Sequence, residues 1–143
     1  MPEFSGSFSG KARVETTIAP ADTPDHVLNV AEITGSQNCS DANWSDSRVT
    51  YWAVIDVIAG NGTQRGYYVN ERANGDRDYG TFEGRVTTDE GKTTLEGTWK
   101  ASGGSGKFTG LKAQGTYRGV MNSPSEVGMT WSGAYELAAA KAA

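Results

Sequence analysis

Apolar and polar residues alternate along most of this 143-residue chain. Near the N-terminus, Phe4, Phe8, Val14 and Ile18 fall on one parity, predicted to face inward, while Ser5 and Ser7 fall on the other. A period of two is typical of a β-strand with one buried face. The pattern predicts eight strands, over residues 4–18, 26–36, 47–60, 63–73, 76–89, 92–102, 111–121 and 127–137.

Short turn signals predict how the middle strands pair, because Asn-Gly and similar dipeptides favour two-residue hairpins. The dipeptides used are Asn61-Gly62, Asn74-Gly75 and Glu90-Gly91. They predict Asp56 opposite Tyr67, Trp52 opposite Glu71, Glu71 beside Asp78, Phe82 opposite Trp99 and Val86 opposite Leu95. A five-residue loop over 122–126 predicts Tyr117 opposite Trp131. One mostly apolar face results, and a slip of one residue would reverse it.

These strands predict an all-β fold, a single closed antiparallel β-barrel of about eight strands. The barrel domain covers residues 1–137, and residues 138–143 form a C-terminal tail whose Ala-rich sequence, from Leu137 onward, is helical in character. Glycine occurs 19 times, and glycines in the ladder allow the bending that closure requires. A barrel of eight strands has an interior wide enough for one small ligand.

Charge and composition exclude several classes of function. The net charge is −4, and the basic residues are interleaved with acidic ones, which argues against a nucleic-acid partner. A single His and a single Cys exclude most transition-metal sites, so we expect no metal. The N-terminal residues lack the features of a signal peptide, and no apolar run reaches membrane-spanning length, so we expect a cytoplasmic protein with no membrane partner.

The segment from Gly103 to Leu111, Gly-Gly-Ser-Gly-Lys-Phe-Thr-Gly-Leu, is followed by a strand that carries Gly115. It resembles the corresponding segment of the allene oxide cyclase and dirigent-like barrels and of their small bacterial relatives. That resemblance, which also makes the expected fold calycin-like or allene-oxide-cyclase-like, implies a dimer or trimer and an apolar cavity. It further implies cyclisation or isomerisation of a small molecule without a cofactor. The catalytic positions of the family do not carry over onto matching residues here.

The predicted inward face is rich in aromatic side chains, which either line a ligand cavity or fill the barrel. The candidate ligand-binding residues are Trp52, Phe82, Trp99, Tyr117, Met129, Trp131 and Tyr135.

Two acids, Asp56 and Glu71, interrupt this face, and a buried acid requires a partner or a role. Tyr67, predicted opposite Asp56, joins Asp56 and Glu71 as a candidate catalytic residue. Glu71 is predicted beside Asp78, and two neighbouring carboxyl groups raise each other's pKa, which allows one of them to act as general acid or base. The alternative is structural: Asp56 pairs with Arg65, and Glu71 faces water near a strand end.

The other parity of strand 3 is also apolar, at Tyr51, Ala53, Ile55 and Val57. In the predicted register this stripe points outward, and contact with a neighbouring subunit would cover it. We therefore expect a homo-oligomer that binds a small apolar or aromatic molecule, with cyclase or isomerase activity an open question. The alternatives are a non-catalytic, lipocalin-like carrier and a structural or interaction module.

Overall fold

The predicted closed, eight-stranded antiparallel barrel is confirmed. The structure, a computed structural model, describes residues 2–123 and 126–137. Each strand pairs with its neighbours in the chain, and β1 also pairs with β8, which closes the barrel. The strands are β1 (Glu3–Ile18), β2 (His26–Cys39), β3 (Ser47–Ile58), β4 (Asn61–Glu71), β5 (Arg77–Asp89), β6 (Lys92–Gly104), β7 (Lys112–Ser123) and β8 (Glu126–Glu136). The predicted tail, 138–143, lies outside the described residues.

The predicted pairing of β5 with β6 and of β7 with β8 is confirmed. Phe82 lies opposite Trp99, and Tyr117 lies opposite Trp131, with all four side chains on the inner face. On the outer face, Arg85 lies opposite Glu96 as predicted. In these strands most of the large apolar residues fall on one parity, so burial of that parity favours this register.

The predicted pairing of β3 with β4 is wrong. These strands are joined at Ala59 and Gly60, which have φ values of 51° and 81°, rather than at Asn61-Gly62. Two positive φ values are the mark of a type I′ turn, in which Asn and Gly are favoured and Ala is unusual. As a result, Trp52 lies opposite Tyr67.

The predicted pairing of β4 with β5 is wrong by one residue. The connection is a five-residue loop over 72–76, closed by a hydrogen bond from the Arg72 amide to the Asp76 carbonyl at 3.0 Å, so Asn70 lies opposite Asp78. A slip of one residue reverses which face points inward. The outer surface of β3 and β4 therefore carries residues that were predicted to be inside: Trp52, Val54, Asp56, Ile58, Tyr67, Val69 and Glu71.

The apolar stripe of β3 that was predicted to point outward lies inside the barrel. Tyr51 and Ala53 are buried, while Ile55 and Val57 are partly buried against the same core. A second correction concerns β1, where a bulge between Ala12 and Val14 breaks the pairing with β2. Beyond the bulge, Val14 and Ile18, predicted to be inward, are 52% and 60% exposed.

The two ends of the barrel are closed differently. At one end, the β2–β3 loop and the β6–β7 loop fold over the opening and bury Trp44 and Phe108, each 2% exposed. We call this the plug. The Gly-rich segment 103–110 contributes a short 3₁₀ helix (Gly106–Phe108) that carries Phe108 into the plug. At the other end, the part of β1 beyond Lys11, the last β1 residue that pairs with β8, is paired with β2 alone and forms a flap strand. Among the described residues, no helix is long and apolar enough to cross a membrane.

Candidate functional site

A buried ion pair ties the plug to the barrel wall. Asp78 is the second residue of β5. Its carboxylate accepts hydrogen bonds from Arg72, from Asn70 Nδ2 at 2.9 Å and from Trp44 Nε1 at 3.2 Å. The Arg72 guanidinium carbon lies 3.8 Å from the centre of the Phe108 ring, in a cation–π contact. Asp78 is only 2% exposed, so these donors replace the water that it loses on folding.

A small cavity of about 100 Å³ lies inside the barrel beneath the plug. Its wall is mostly aromatic and aliphatic, with a few polar side chains. The lining residues are Phe4, Phe8, Gln37, Trp44, Val49, Tyr51, Gln64, Tyr68, Asn70, Asp78, Phe82, Trp99, Ala113, Tyr117, Met129 and Trp131.

Most polar groups of this lining are paired with each other. Gln64 Nε2 donates to the Tyr117 hydroxyl at 2.7 Å, and Gln37 Nε2 donates to Ser47 Oγ at 2.7 Å. Burial raises the pKa of Tyr117, and the nearby Glu83 carboxylate raises it further, while the Gln64 hydrogen bond lowers it. These pairs stiffen the wall and leave few groups free to contact a bound molecule.

Two lining side chains are exceptions. The Tyr68 hydroxyl and Trp131 Nε1 are buried and have no hydrogen-bond partner among the described residues. The same is true of Arg72 Nη2, which lies outside the cavity, beside the plug. The Trp99 ring lies between them, with ring centres 6.4 Å from Tyr68 and 5.8 Å from Trp131. Burial, and secondarily the charge of Asp78, raises the pKa of Tyr68, so its hydroxyl keeps its proton. Both exceptions are therefore unpaired hydrogen-bond donors on residues that line the cavity.

Glycines make room for these aromatic rings. A Cβ added at Gly84 or Gly97 would lie 2.6 and 2.7 Å from the Tyr117 hydroxyl, and one at Gly6 would lie 2.6 Å from the Trp131 ring. Such contacts are shorter than van der Waals packing allows. The inward glycines thus let large rings lie against the wall, in addition to permitting its curvature.

The structure places none of the three candidate catalytic residues at the cavity. Asp56 lies on the outer surface, where its Oδ1 is 2.7 Å from His26 Nε2. Glu71 accepts from Arg77 Nη2 at 2.6 Å on the outside, and Tyr67 is 66% exposed. The predicted placement of these residues inside the barrel is wrong, because the predicted β4–β5 register was one residue out, which reversed the faces of β3 and β4 together.

Five of the seven candidate ligand-binding residues do line the cavity, namely Phe82, Trp99, Tyr117, Met129 and Trp131. Tyr135, on β8, is buried against Trp44 of the plug, and its hydroxyl donates to Asp41 Oδ2 at 2.5 Å. Trp52 lies on the outer surface, where its Nε1 donates to Glu32 Oε1 at 2.9 Å. Its predicted inward position is therefore wrong.

Sequence reasoning missed Tyr68, Gln64 and Asn70, which β4 presents to the cavity. One signal could have identified this face: the opposite parity of β4 carries Arg65 and Glu71. Because charged side chains are rarely buried without a partner, the parity with more charges is the one expected to face water.

Comparison with protein-family models gives no match to this chain, and no curated protein is similar to it. The resemblance to the allene oxide cyclase and dirigent-like barrels therefore stays a prediction. Among the described residues, no group of three or more His, Cys, Asp or Glu side chains is arranged to hold a metal ion.

Proposed function

We propose that this protein binds a small molecule that carries a hydrogen-bond acceptor in the cavity of its barrel, and that it does so without catalysing a reaction. The observation that carries the proposal is the pair of buried, unpartnered donors, Tyr68 Oη and Trp131 Nε1, on the wall of one cavity. A buried polar group without a partner costs about 1–3 kcal/mol, and a ligand acceptor that pairs with it recovers this energy.

The size of the cavity limits the ligand. Common ligand pockets have about 300–1,000 Å³. A cavity of 100 Å³ is closer to the about 150 Å³ of an engineered cavity that binds benzene. We therefore propose a molecule of one small ring or a few non-hydrogen atoms, rather than an elongated apolar substrate.

The chemistry of the lining favours binding over catalysis. Asp78 is the one carboxylate in the described lining, and its oxygens accept from Arg72, Asn70 and Trp44. Burial raises the pKa of the lining residues Tyr51 and Tyr68, so both stay protonated near neutral pH, where they offer no phenolate as a base and are weak acids. A carrier or sequestering role in the cytoplasm fits this lining. The cofactor-independent cyclase or isomerase activity implied by the resemblance stays a prediction.

Pyridine and benzene test the proposal, because the two rings have nearly the same size and only pyridine has an acceptor. We expect pyridine to shift the indole N–H resonance of Trp131 in an NMR titration and to bind more tightly than benzene. Tyr68→Phe and Trp131→Phe each remove one donor and keep an aromatic ring. One hydrogen bond contributes about 0.5–1.5 kcal/mol. The variant that lacks the donor bonded to the pyridine nitrogen should therefore bind pyridine roughly 2- to 12-fold more weakly.

Trp52→Phe is the matched control, because Trp52 is on the outer surface and should leave pyridine affinity unchanged. Equal affinity for pyridine and benzene, unaffected by Tyr68→Phe and by Trp131→Phe, would show that the donors do not select the ligand. Failure of both rings to enter the cavity would contradict the proposal altogether.

A further inference from the structure

The outer surface of the barrel carries exposed apolar side chains on β1 to β4. We call this surface the outer apolar face. Six of its residues are between 38% and 66% exposed: Val14, Ile18, Val30, Trp52, Val54 and Tyr67. Scattered apolar residues are common on protein surfaces, whereas a continuous group of this kind marks an interaction site.

Strand pairing makes the outer apolar face continuous. Val30 lies opposite Val54, and Trp52 lies opposite Tyr67, so apolar side chains touch across β2, β3 and β4. Beyond the β1 bulge, Ile18 lies opposite Leu28, which brings the flap strand onto the same surface. Directly opposed residues have Cβ atoms about 4.5–5.5 Å apart, which leaves no room for water between them.

The extent of this face fits a protein partner. Four strands at about 4.8 Å spacing and four residues of rise from Val14 to Ile18 give a patch of roughly 15 by 15 Å, in which polar side chains lie among the apolar ones. With a surrounding rim about one side chain wide, the face reaches the order of 800 Å² that each partner of a stable interface buries.

The charges on the face argue against two other partners. Glu32 and Asp56 lie among its apolar side chains, and both nucleic acid and anionic lipid surfaces require a predominance of Lys and Arg. Glu32 is itself paired with Arg13, and Asp56 with His26. The face is thus nearly neutral, and a second copy would meet it without strong repulsion.

Arg65 points to that second copy. It lies on this face directly opposite Val54, and it is exposed without an ion pair among the described residues. Glu83 on β5 lies directly opposite Arg65, so the two opposite charges stand side by side at the edge of the face, with no salt bridge between them. In a two-fold arrangement each surface meets its own copy, and a row with one charge of each sign can place Arg65 of one subunit against Glu83 of the other.

We propose that the outer apolar face packs against the same face of a second copy of this chain to form a two-fold symmetric dimer. Trp52 and Tyr67 become buried in this dimer, as is typical of the aromatic residues that contribute most to interface energy. The inference is independent of the ligand proposed for the interior, because the face is on the opposite side of the wall.

Sedimentation equilibrium of the full chain tests this proposal. We expect a dimer with a dissociation constant at or below about 10 µM, within the micromolar-to-picomolar range of interfaces of this size. Val54→Asp places a charge at the centre of the face, and it should raise the dissociation constant by about 30-fold or more, the effect of losing a dominant interface residue. Tyr67→Ser, a milder change at a more exposed site, should raise it by at least about 10-fold.

Thr116→Asp is the matched control. Thr116 is also exposed and outward-facing, on a strand paired on both sides, but it lies on the polar surface, between Thr98 and Ser132 on the neighbouring strands. It should leave the dissociation constant unchanged within about 2-fold, the usual scatter for surface sites away from an interface. Circular dichroism of each variant shows that the barrel is folded.

A second readout uses Trp52, which is 38% exposed, whereas Trp44 is 2% exposed. In the dimer, acrylamide should quench tryptophan fluorescence less than in the dilute monomer, and Trp52→Phe should abolish this difference. A chain that is monomeric at about 100 µM overturns the proposal, since that is ten times the weakest affinity expected. A dimer that is insensitive to both Val54→Asp and Tyr67→Ser, a larger oligomer, or a monomer that binds phosphatidylglycerol vesicles through Val54 overturns it equally.

Discussion

The two halves of the barrel wall use the same alternating pattern in different ways. In β5 to β8, most apolar side chains point inward and the outer surface is mostly polar, as at Thr98, Thr116 and Ser132. In β3, both parities are apolar: Tyr51 and Ala53 are buried, while Trp52 and Val54 are exposed on the outer apolar face. A strand with two apolar faces in a barrel wall has one face more than the core requires, and the extra face is available for a partner.

The sharpest test of this difference compares two adjacent residues of β3. Ala53 is 1% exposed and Val54 is 41% exposed. Ala53→Asp places a carboxylate in the core without a partner, and it should lower the free energy of unfolding by about 4 kcal/mol or more. Val54→Asp should lower it by about 1 kcal/mol or less, because the new carboxylate stays in water.

Chemical denaturation measures both values, at a protein concentration low enough for the wild type to be monomeric, since association would add to its apparent stability. If Val54→Asp proved the more damaging of the two, the inner and outer faces of β3 would be assigned the wrong way round.

A second prediction concerns the junction between the two halves, where Arg72 in the β4–β5 loop pairs with Asp78 in β5. Arg72→Met keeps an apolar stem over Phe108 but leaves the buried carboxylate with neutral donors alone. It should cost about 3 kcal/mol of unfolding free energy. The nearby pair of Arg77 with Glu71 is solvent-exposed, so Arg77→Met should cost less than about 1 kcal/mol.

Thermal and urea unfolding of the two variants give this comparison. Adding Asp78→Asn to Arg72→Met should restore part of the lost stability, because it removes the uncompensated charge. Equal losses for Arg72→Met and Arg77→Met would mean that the plug is not held by a buried ion pair.

The smallest expected effect lies at the edge of the outer apolar face, where His26 hydrogen-bonds Asp22 at 2.8 Å and Asp56 at 2.7 Å. The hydrogen bond to Asp22, followed by that to Asp56, raises the pKa of His26 above its usual value. Because protonation is favoured in the folded state, this stabilisation is fully present below the unfolded pKa of about 6.5 and is lost as pH rises through the folded pKa. His26 in turn lowers the pKa of Asp22, and that contribution is lost as pH falls through the folded pKa of Asp22.

We therefore expect the difference in melting temperature between wild type and His26→Gln to be largest from about pH 4 to 6.5 and to shrink toward pH 9. Melting curves at pH 5.5, 7 and 9 measure it. A difference that grew with pH would contradict the assigned pairing of His26 with two acids.

The barrel was predictable from sequence because alternating apolar and polar residues mark strands along most of the chain, and short segments that contain Gly, Pro, Asn or Asp separate them. The pairs Phe82 with Trp99 and Tyr117 with Trp131 followed directly, since only one register buries all four rings. β3 offered no such choice. With both of its parities apolar, its inward face was predicted only through β4, and the five-residue loop over 72–76, where a turn at Asn74-Gly75 was expected, reversed the faces of both strands. The hairpin at Ala59 and Gly60 changed which residues of β3 and β4 lie opposite each other, but not which faces they share.

The cavity was only partly predictable for the same reason. Trp131 was identified because β8 paired as predicted, whereas Tyr68 was missed because a five-residue loop over 72–76 shifted β4 by one position. The plug was not predicted at all. Trp44 and Phe108 lie in connections between strands, where no periodicity indicates which side chains turn inward.

The cavity is also where the two halves of the wall meet, since β4 supplies Tyr68 and β8 supplies Trp131. A crystal structure of the protein grown with pyridine tests most directly whether this is a binding site. The account predicts density for one ring inside the barrel, with its nitrogen about 2.7–3.2 Å from Tyr68 Oη or Trp131 Nε1. A cavity closed by side chains, or one that holds only water at a pyridine concentration high enough to saturate a weak site, would contradict it.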